Sequence, residues 1–360
     1  STPMQEKLSL IIPTYNEKDN IVPLVERVNN ALAGRDYEII LVDDNSKDGT
    51  IEIAQGLISK FPLKIFVRKE ERGLATAVVH GLKQATGSII GVMDADLQHP
   101  PEVLTDLLKA LENGADIAFA SRYVPGGGCP NWDLMRRIIS KAALKLSHLF
   151  LPTTRQVKDP LTGFFMFRRD KVDVDRLKPI GYKISLEVML VGHFENMVEV
   201  PFIFEERSAG QSKLNPTQQI DYLKHIWSLM LRTGELVRFL KFIGVGVSGT
   251  FVNIGVLRLV TAFTTWNEKV QLIPGIEVSI ITNFLLNDYF TFADRRTGKK
   301  SSFFRRMLKY NLIAMAGAVI NWGVAALLVH LGLNIFLADF IGIVVAFLWN
   351  YFFSSIWAWR

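Results

Sequence analysis

Residues 87–100, Gly-Ser-Ile-Ile-Gly-Val-Met-Asp-Ala-Asp-Leu-Gln-His-Pro, hold the densest chemistry in this 360-residue chain. The apolar run from Ile89 to Met93 predicts a buried strand, and it stops abruptly at Asp94-Ala95-Asp96, with Gln98 two residues on. Two carboxylates at the end of a buried strand carry a desolvation penalty that a partner has to offset. A hard divalent cation that also takes phosphate oxygens is a suitable partner, because such ions prefer oxygen ligands and neutralise leaving phosphates. Alternate residues of an extended segment share a face, so Asp94, Asp96 and Gln98 can converge. Taken alone, the pair could also be a surface turn that caps the following helix.

Two more strand-like segments end the same way. Residues 8–21 run from an apolar stretch into Pro13, Tyr15, Asn16 and Glu17, and residues 37–50 run into Asp43-Asp44 and then Gly49-Thr50. Helix-like segments at 20–33, 50–60 and 73–86 separate the strands. Ligands of open α/β sheets sit beyond the carboxyl ends of the strands, so these three polar ends describe one crevice. The segments carry neither the G-x-G-x-x-G nor the G-x-x-x-x-G-K phosphate loop, which leaves a metal and basic side chains to hold any phosphate.

In this order and spacing, PTYNE, VDDNSKDGT and DADLQHP resemble the nucleotide-sugar-dependent glycosyltransferases of family 2, which have the GT-A fold. SRYVPGGGCPNWDLMRRIIS at 121–140, KDPLTGFFMFRRD at 158–170 and EERSAGQSKL at 205–214 extend the likeness to the dolichol phosphate mannose synthases. The resemblance covers the first two-thirds of the chain. It implies an α/β, Rossmann-like GT-A domain with a mixed central sheet, GDP-mannose as donor, dolichyl or another polyprenyl phosphate as acceptor, and Mn2+ or Mg2+ as cofactor. No nucleic-acid partner is expected.

The resemblance also implies roles. Asp96 and Gln98 bind the ion with the diphosphate, and Asp94 contacts the sugar or the metal shell. Pro13, Tyr15, Glu17, Val42 and Asp44 line the base and ribose pocket. Arg207 and Lys213 form a lid with Gly210 as its hinge, and Arg122, Arg136 and Ser140 receive the acceptor phosphate. Arginine suits that last task because its planar fork matches phosphate oxygens. The loop holding Asp159, Thr162, Gly163 and Phe164 shapes the sugar or acceptor pocket. An ionised lipid phosphate needs no general base, and its attack opposite the leaving group inverts the anomeric carbon. Two alternatives stay open: a UDP-glucose-dependent polyprenyl-phosphate glucosyltransferase, and a lipid-linked sugar transporter whose first half only binds.

Composition divides the chain. Mean hydropathy is +0.21, and the apolar excess is concentrated in residues 236–360. Residues 1–232 are expected to form the catalytic domain, with amphipathic interface helices at about 133–150 and 216–231. Residues 233–360 are expected to form an all-α domain with four spans at about 239–263, 272–293, 308–330 and 335–358, each near the roughly 20 residues that cross a bilayer core. Arg258 falls within the first span, at a cost of about 3 kcal/mol if central, offset by its many aliphatic neighbours. The single Cys129 excludes an internal disulfide.

The four spans read as two repeated hairpins. Lys241, Gly249, Asn253 and Gly255 answer to Lys309, Gly317, Asn321 and Gly323, and NFLLNDYF at 283–290 answers to AFLWNYFF at 346–353. This half resembles the small GtrA-like membrane proteins found with polyprenyl-phosphate glycosyltransferases. Arg295, Arg296, Lys299, Lys300, Arg305, Arg306 and Lys309 crowd the connection at 294–309, which the positive-inside rule assigns to the cytoplasm. An even number of crossings then puts the catalytic domain and both termini on that side of an integral membrane protein.

Overall fold

The computed structural model describes residues 6–206, 216–296 and 300–360. The chain divides into two compact units, Ser1–Thr233 and Gly234–Arg360. The first unit alternates strands and helices: β1 Leu8–Thr14, α1 Lys18–Ala31, β2 Tyr37–Asp43, α2 Thr50–Leu57, β3 Leu63–Val67, α3 Leu74–Gln84 and β4 Ile89–Val92. It continues with α4 Leu104–Glu112, β5 Ile117–Ser121, α5 Leu134–Phe150, β6 Phe165–Arg168, α6 Ile184–Val191, β7 Met197–Pro201 and α7 Pro216–Thr233.

The strands form one mixed seven-stranded sheet in the order β3-β2-β1-β4-β6-β5-β7. β3, β2, β1 and β4 are parallel, and β6 runs antiparallel to both of its neighbours. Helices cover both faces, as burial of a parallel sheet requires. Leu8, Leu10 and Ile12 of β1 pack into the layer that holds Leu24 and Val28 of α1 and Leu107 and Leu111 of α4. Ile11 points the other way, toward Ala77 and Val78 of α3. Because neighbouring parallel strands start and stop together, the ends of β1, β2 and β4 share one edge: Thr14 pairs with Asp43, and Ile11 with Val92. β3, which has no acidic end to mark it in the sequence, delivers Arg68 to that same edge.

The second unit is helical: α8 Glu235–Phe263, α9 Glu268–Leu286, α10 Lys300–His330 and α11 Ile335–Phe353. By length and composition four segments can cross a membrane: Glu235–Phe263, Glu268–Thr291, Ser302–His330 and Ile335–Ala358. With α8 starting at Glu235, Arg258 lies exposed near the far end of its span, where a long cationic side chain can reach the interface.

Within this unit α8 packs on α9 and α10 on α11, and the same contacts occur in both hairpins. A Cβ on Gly249 would collide with Asn283, and one on Gly317 with Asn350; Gly275 meets Asn253, and Gly342 meets Asn321. The equivalent of Asn283 is therefore Asn350, and segment 283–290 answers to 350–357 rather than to 346–353. The apolar, aromatic composition of both stretches hides this slip of about one helical turn. Lys241 over the Phe290 ring and Lys309 over the Trp357 ring obey the same register. Gly255 and Gly323 face open space and take no part in the close approach.

Candidate active site

The end of β4 is shaped by local bonds. His99 Nδ1 accepts from the Asp94 backbone N–H at 3.1 Å, and Asp96 Oδ1 accepts from the Gln98 N–H at 3.1 Å. Leu97, between the two acidic-site residues, is buried with φ at +64°, a conformation that costs a branched residue energy and clusters at functional sites. His99 is buried in a stack on Phe164, with ring centres 5.1 Å apart. Burial pulls its imidazole down to about 4, with Asp96 and Arg122 acting as opposing minor influences. A neutral ring whose Nδ1 accepts a bond carries its proton on Nε2. The sequence reading gave His99 no role, although it lies inside DADLQHP.

Asp94, Asp96 and Gln98 form one wall of a cavity of about 310 Å³ that is also lined by Arg122, Arg136, Ser140, Trp132, Phe204 and Lys183. The structure thus brings six of the candidate residues together: Asp94, Asp96, Gln98, Arg122, Arg136 and Ser140. Gly163 stands opposite Asp94 and His99, where a Cβ would come within 3.3–3.5 Å of their side chains. The start of α7 contributes Gln218 and Gln219.

Arg122 follows directly on β5 and is locked to Asp159. Nε donates to Oδ2 and Nη2 to Oδ1, both at 2.8 Å, and the Arg122 backbone N–H also donates to Oδ2. Asp159 is fully buried, and its own N–H is held by Glu199. Arg136 lies in the first turn of α5, which Asp133 caps by accepting from the Arg136 N–H at 2.7 Å. Trp132 serves both arginines: its ring centre is 4.3 Å from the Arg136 guanidinium carbon and 5.2 Å from that of Arg122. Cation–π attraction here holds two like charges on one wall. Ser140 Oγ, one turn after Arg136, is 2.8 Å from the Tyr123 hydroxyl.

Pro13, Tyr15, Glu17, Val42 and Asp44 lie at or just beyond the ends of β1 and β2 and do not line this cavity. Tyr15 is half exposed, with the Arg72 guanidinium 5.5 Å from its ring centre. Pro13 is half-buried, and Glu17 Oε2 accepts from Asn20 at 2.7 Å. Val42 does not line a pocket with its side chain. It is fully buried in the layer beneath α3, because strand alternation turns it inward. Asp44 accepts from Arg68 Nε at 2.8 Å and from the Gly73 N–H at 2.9 Å, so its carboxylate is committed to the fold. Asp43 is likewise held by Thr14 and Ser46. Arg207 and Lys213 lie outside the described residues.

α7 is fixed to the unit by Tyr222, whose hydroxyl donates to the Ala143 carbonyl at 2.6 Å, and by the buried Glu187–His225 pair, whose carboxylate also accepts from the exposed Arg232. Its opposite face leaves Ile220, Leu223, Trp227 and Leu231 exposed, and α5 leaves Leu134, Met135 and Ile138 exposed. Large apolar side chains in such rows mark a contact surface.

Comparison with known proteins agrees with this geometry. Residues 9–174 match the Glycosyl transferase family 2 domain, and residues 241–359 match the GtrA/DPMS transmembrane domain. A dolichol-phosphate mannosyltransferase from Pyrococcus furiosus is 47% identical over 95% of this chain and 96% of its own length. Proteins of the same name are 37% identical in Mycosarcoma maydis, over 64% of this chain and 81% of theirs, and 35% identical in Saccharomyces cerevisiae, over 66% and 94%. With an acid-lined cavity in its first unit and, later in the chain, four helices long and apolar enough to cross a membrane, the chain belongs to the dolichol-phosphate mannosyltransferase family.

Proposed function

We propose that this protein transfers mannose from GDP-mannose to the phosphate of dolichol or a related polyprenol, with inversion, at the cytoplasmic face of a membrane. The observation that carries the reading is the single cavity in which Asp94, Asp96 and Gln98 face Arg122, Arg136 and Ser140. Acidic and amide oxygens on one side suit a hard cation with a nucleotide diphosphate, and a guanidinium wall on the other suits a lipid phosphate.

The donor set fits Mn2+ or Mg2+. Asp96, Gln98 and Asp94 offer oxygen atoms only, the chemistry these ions select. Among the described residues there is no group of three or more His, Cys, Asp or Glu side chains able to cage an ion. That matches an ion held by one or two carboxylates and completed by substrate phosphates. When bound, it would neutralise charge on the departing diphosphate.

The protein's own groups do the rest. Arg136 and Ser140, with Arg122, orient the acceptor phosphate so that one oxygen meets the anomeric carbon from the face opposite GDP. The new O–C1 bond forms as the C1–O bond to the diphosphate breaks, and the product is a β-linked mannosyl phosphate if the donor is α-linked. A phosphate monoester is already ionised near neutral pH, so no side chain has to remove a proton. Tyr15, with Pro13 and Glu17, offers a stacking and hydrogen-bonding edge for the base and ribose, and Asp44 acts through Arg68. Arg207 and Lys213 are proposed on sequence grounds as the diphosphate clamp.

The exposed apolar rows of α5 and α7 support contact with the bilayer, where the lipid acceptor resides. The basic residues between α9 and α10 support a cytoplasmic location for the catalytic unit.

The test is transfer by purified protein in detergent with manganese, dolichyl phosphate and labelled GDP-mannose or UDP-glucose in parallel, with Asp96→Ala as control. Lipid-bound label from GDP-mannose alone, lost in Asp96→Ala, is the expected result. Label from UDP-glucose alone would overturn the donor, and nucleotide binding without transfer would overturn the reaction.

A further inference from the structure

The cavity has a third cation, beside Arg122 and Arg136, that the family motifs do not mark. Lys183 immediately precedes α6 and lines the same cavity as Asp94, Arg122 and Arg136. Its situation differs from that of Arg122. The Arg122 guanidinium has Nε and Nη2 on the fully buried Asp159, so much of its charge is cancelled before any ligand arrives. Lys183 Nζ reaches one acceptor, the Leu161 carbonyl, at the long distance of 3.4 Å, and lies 4.5 Å from the Tyr182 ring centre. Among the described residues it forms no ion pair with a carboxylate.

A partly buried ammonium without a carboxylate is costly to hold, and an anion entering the cavity would relieve that cost. The charged groups that act on it are the cations Arg122 and Arg136 and the carboxylates Asp159 and Asp94. Burial first, and Arg122 next, pull the ammonium down to about 8, while Asp159 and Asp94 oppose this incompletely.

We propose that Lys183 is a substrate-contacting residue of the transfer, its ammonium binding the phosphate of the lipid acceptor together with Arg136. This rests on the reaction assigned above. Arg122, tied to Asp159, then shapes the phosphate site more than it charges it.

The test uses full-length protein and two variants, Lys183→Gln and Lys183→Arg, in detergent. Binding of farnesyl phosphate is compared with binding of farnesol and of GDP. Lys183→Gln should bind farnesyl phosphate about tenfold or more weakly, the loss of one charged contact, with farnesol and GDP affinities unchanged. In the transfer assay the KM for dolichyl phosphate should rise by a similar factor while that for GDP-mannose stays within about twofold of wild type, as expected of a contact confined to the acceptor. Lys183→Arg should restore most of the affinity and carry the alkaline fall in acceptor kcat/KM to higher pH than in wild type. Equal farnesyl phosphate binding by wild type and Lys183→Gln would overturn the proposal, as would equal losses for both substrates. Absence of mannosyl transfer by wild type, with Lys183-dependent farnesyl phosphate binding intact, would count against the reaction instead of against this contact.

Discussion

Asp159 holds Arg122 by three hydrogen bonds, two from the guanidinium and one from the Arg122 backbone N–H. The carboxylate is wholly buried and the arginine side chain only 9% exposed, so neither charge has water to fall back on. Removing one partner of such a pair strands the other, at a cost of about 3–5 kcal/mol. Asp159→Ala should therefore lower the melting temperature and reduce mannosyl transfer by about 10²-fold or more, since a displaced phosphate-binding group spoils alignment. The double variant Arg122→Ala/Asp159→Ala should be more stable than Asp159→Ala alone. Additive losses would show that the two side chains are not coupled.

The anchor of α7 should give the catalytic unit an acid limit. Burial alone would raise the Glu187 carboxyl, but His225 at 2.7 Å, Arg232 at both oxygens and the Lys178 N–H outweigh it and bring the group to about 2. A carboxyl depressed on folding contributes stability above its unfolded value near 4.5, and that contribution is lost as pH falls from there toward 2. The shift corresponds to roughly 3 kcal/mol. Thermal unfolding at pH 7 and pH 4 should show Glu187→Gln destabilised at pH 7, with a smaller further loss on acidification than wild type. Parallel pH curves for the two proteins would exclude Glu187 as the source.

The acidic strand ends were legible because a carboxylate after a run of Ile and Val has few structural explanations. Their individual duties were not. Asp43, Asp44 and Asp96 look alike in sequence, yet Asp43 closes its own turn, Asp44 is met by Arg68 from an unmarked strand, and only Asp96 reaches the cavity. Part of that sorting depends on Thr14 and Arg68, 29 and 24 residues from their carboxylates, which no local pattern carries. Lys183 and Trp132 were missed for the same reason, since the cavity makes them neighbours of residues far away in the chain. Val42 was expected in a pocket from its place in the family motif, whereas strand alternation turns its side chain into the core. In the second unit the repeat was readable from its glycines and asparagines, whereas its register needed the contact between Asn350 and Gly317.

Val42 and Tyr15 give a direct contrast at the donor edge. Val42→Ala removes two buried carbons and should cost stability of about 1–3 kcal/mol, with the KM for GDP-mannose unchanged. Tyr15→Ala removes an exposed ring and should leave stability within about 0.5 kcal/mol of wild type. It should raise that KM severalfold, as expected for loss of a base-stacking face worth about 1–3 kcal/mol. A donor KM that moves with Val42 and not with Tyr15 would reverse the assignment of these residues.

The two hairpins can be tested through their glycines. At Gly249 and Gly317 a methyl group would meet the buried side-chain amides of Asn283 and Asn350, which would have to turn away or push the helix pair apart. At Gly255 and Gly323 the same methyl group meets open space. Gly249→Ala and Gly317→Ala should each destabilise the protein in detergent by about 1–3 kcal/mol, the usual penalty for overpacking. Gly255→Ala and Gly323→Ala should be neutral or slightly stabilising, because alanine favours the helix by about 1 kcal/mol. Restoring room with Gly249→Ala/Asn283→Ala should recover part of the loss, since small residues let membrane helices approach. Equal melting temperatures across all four single variants would show that the hairpins do not pack through these contacts. A loss confined to one hairpin would show that the two repeats share a pattern but not an energetic role.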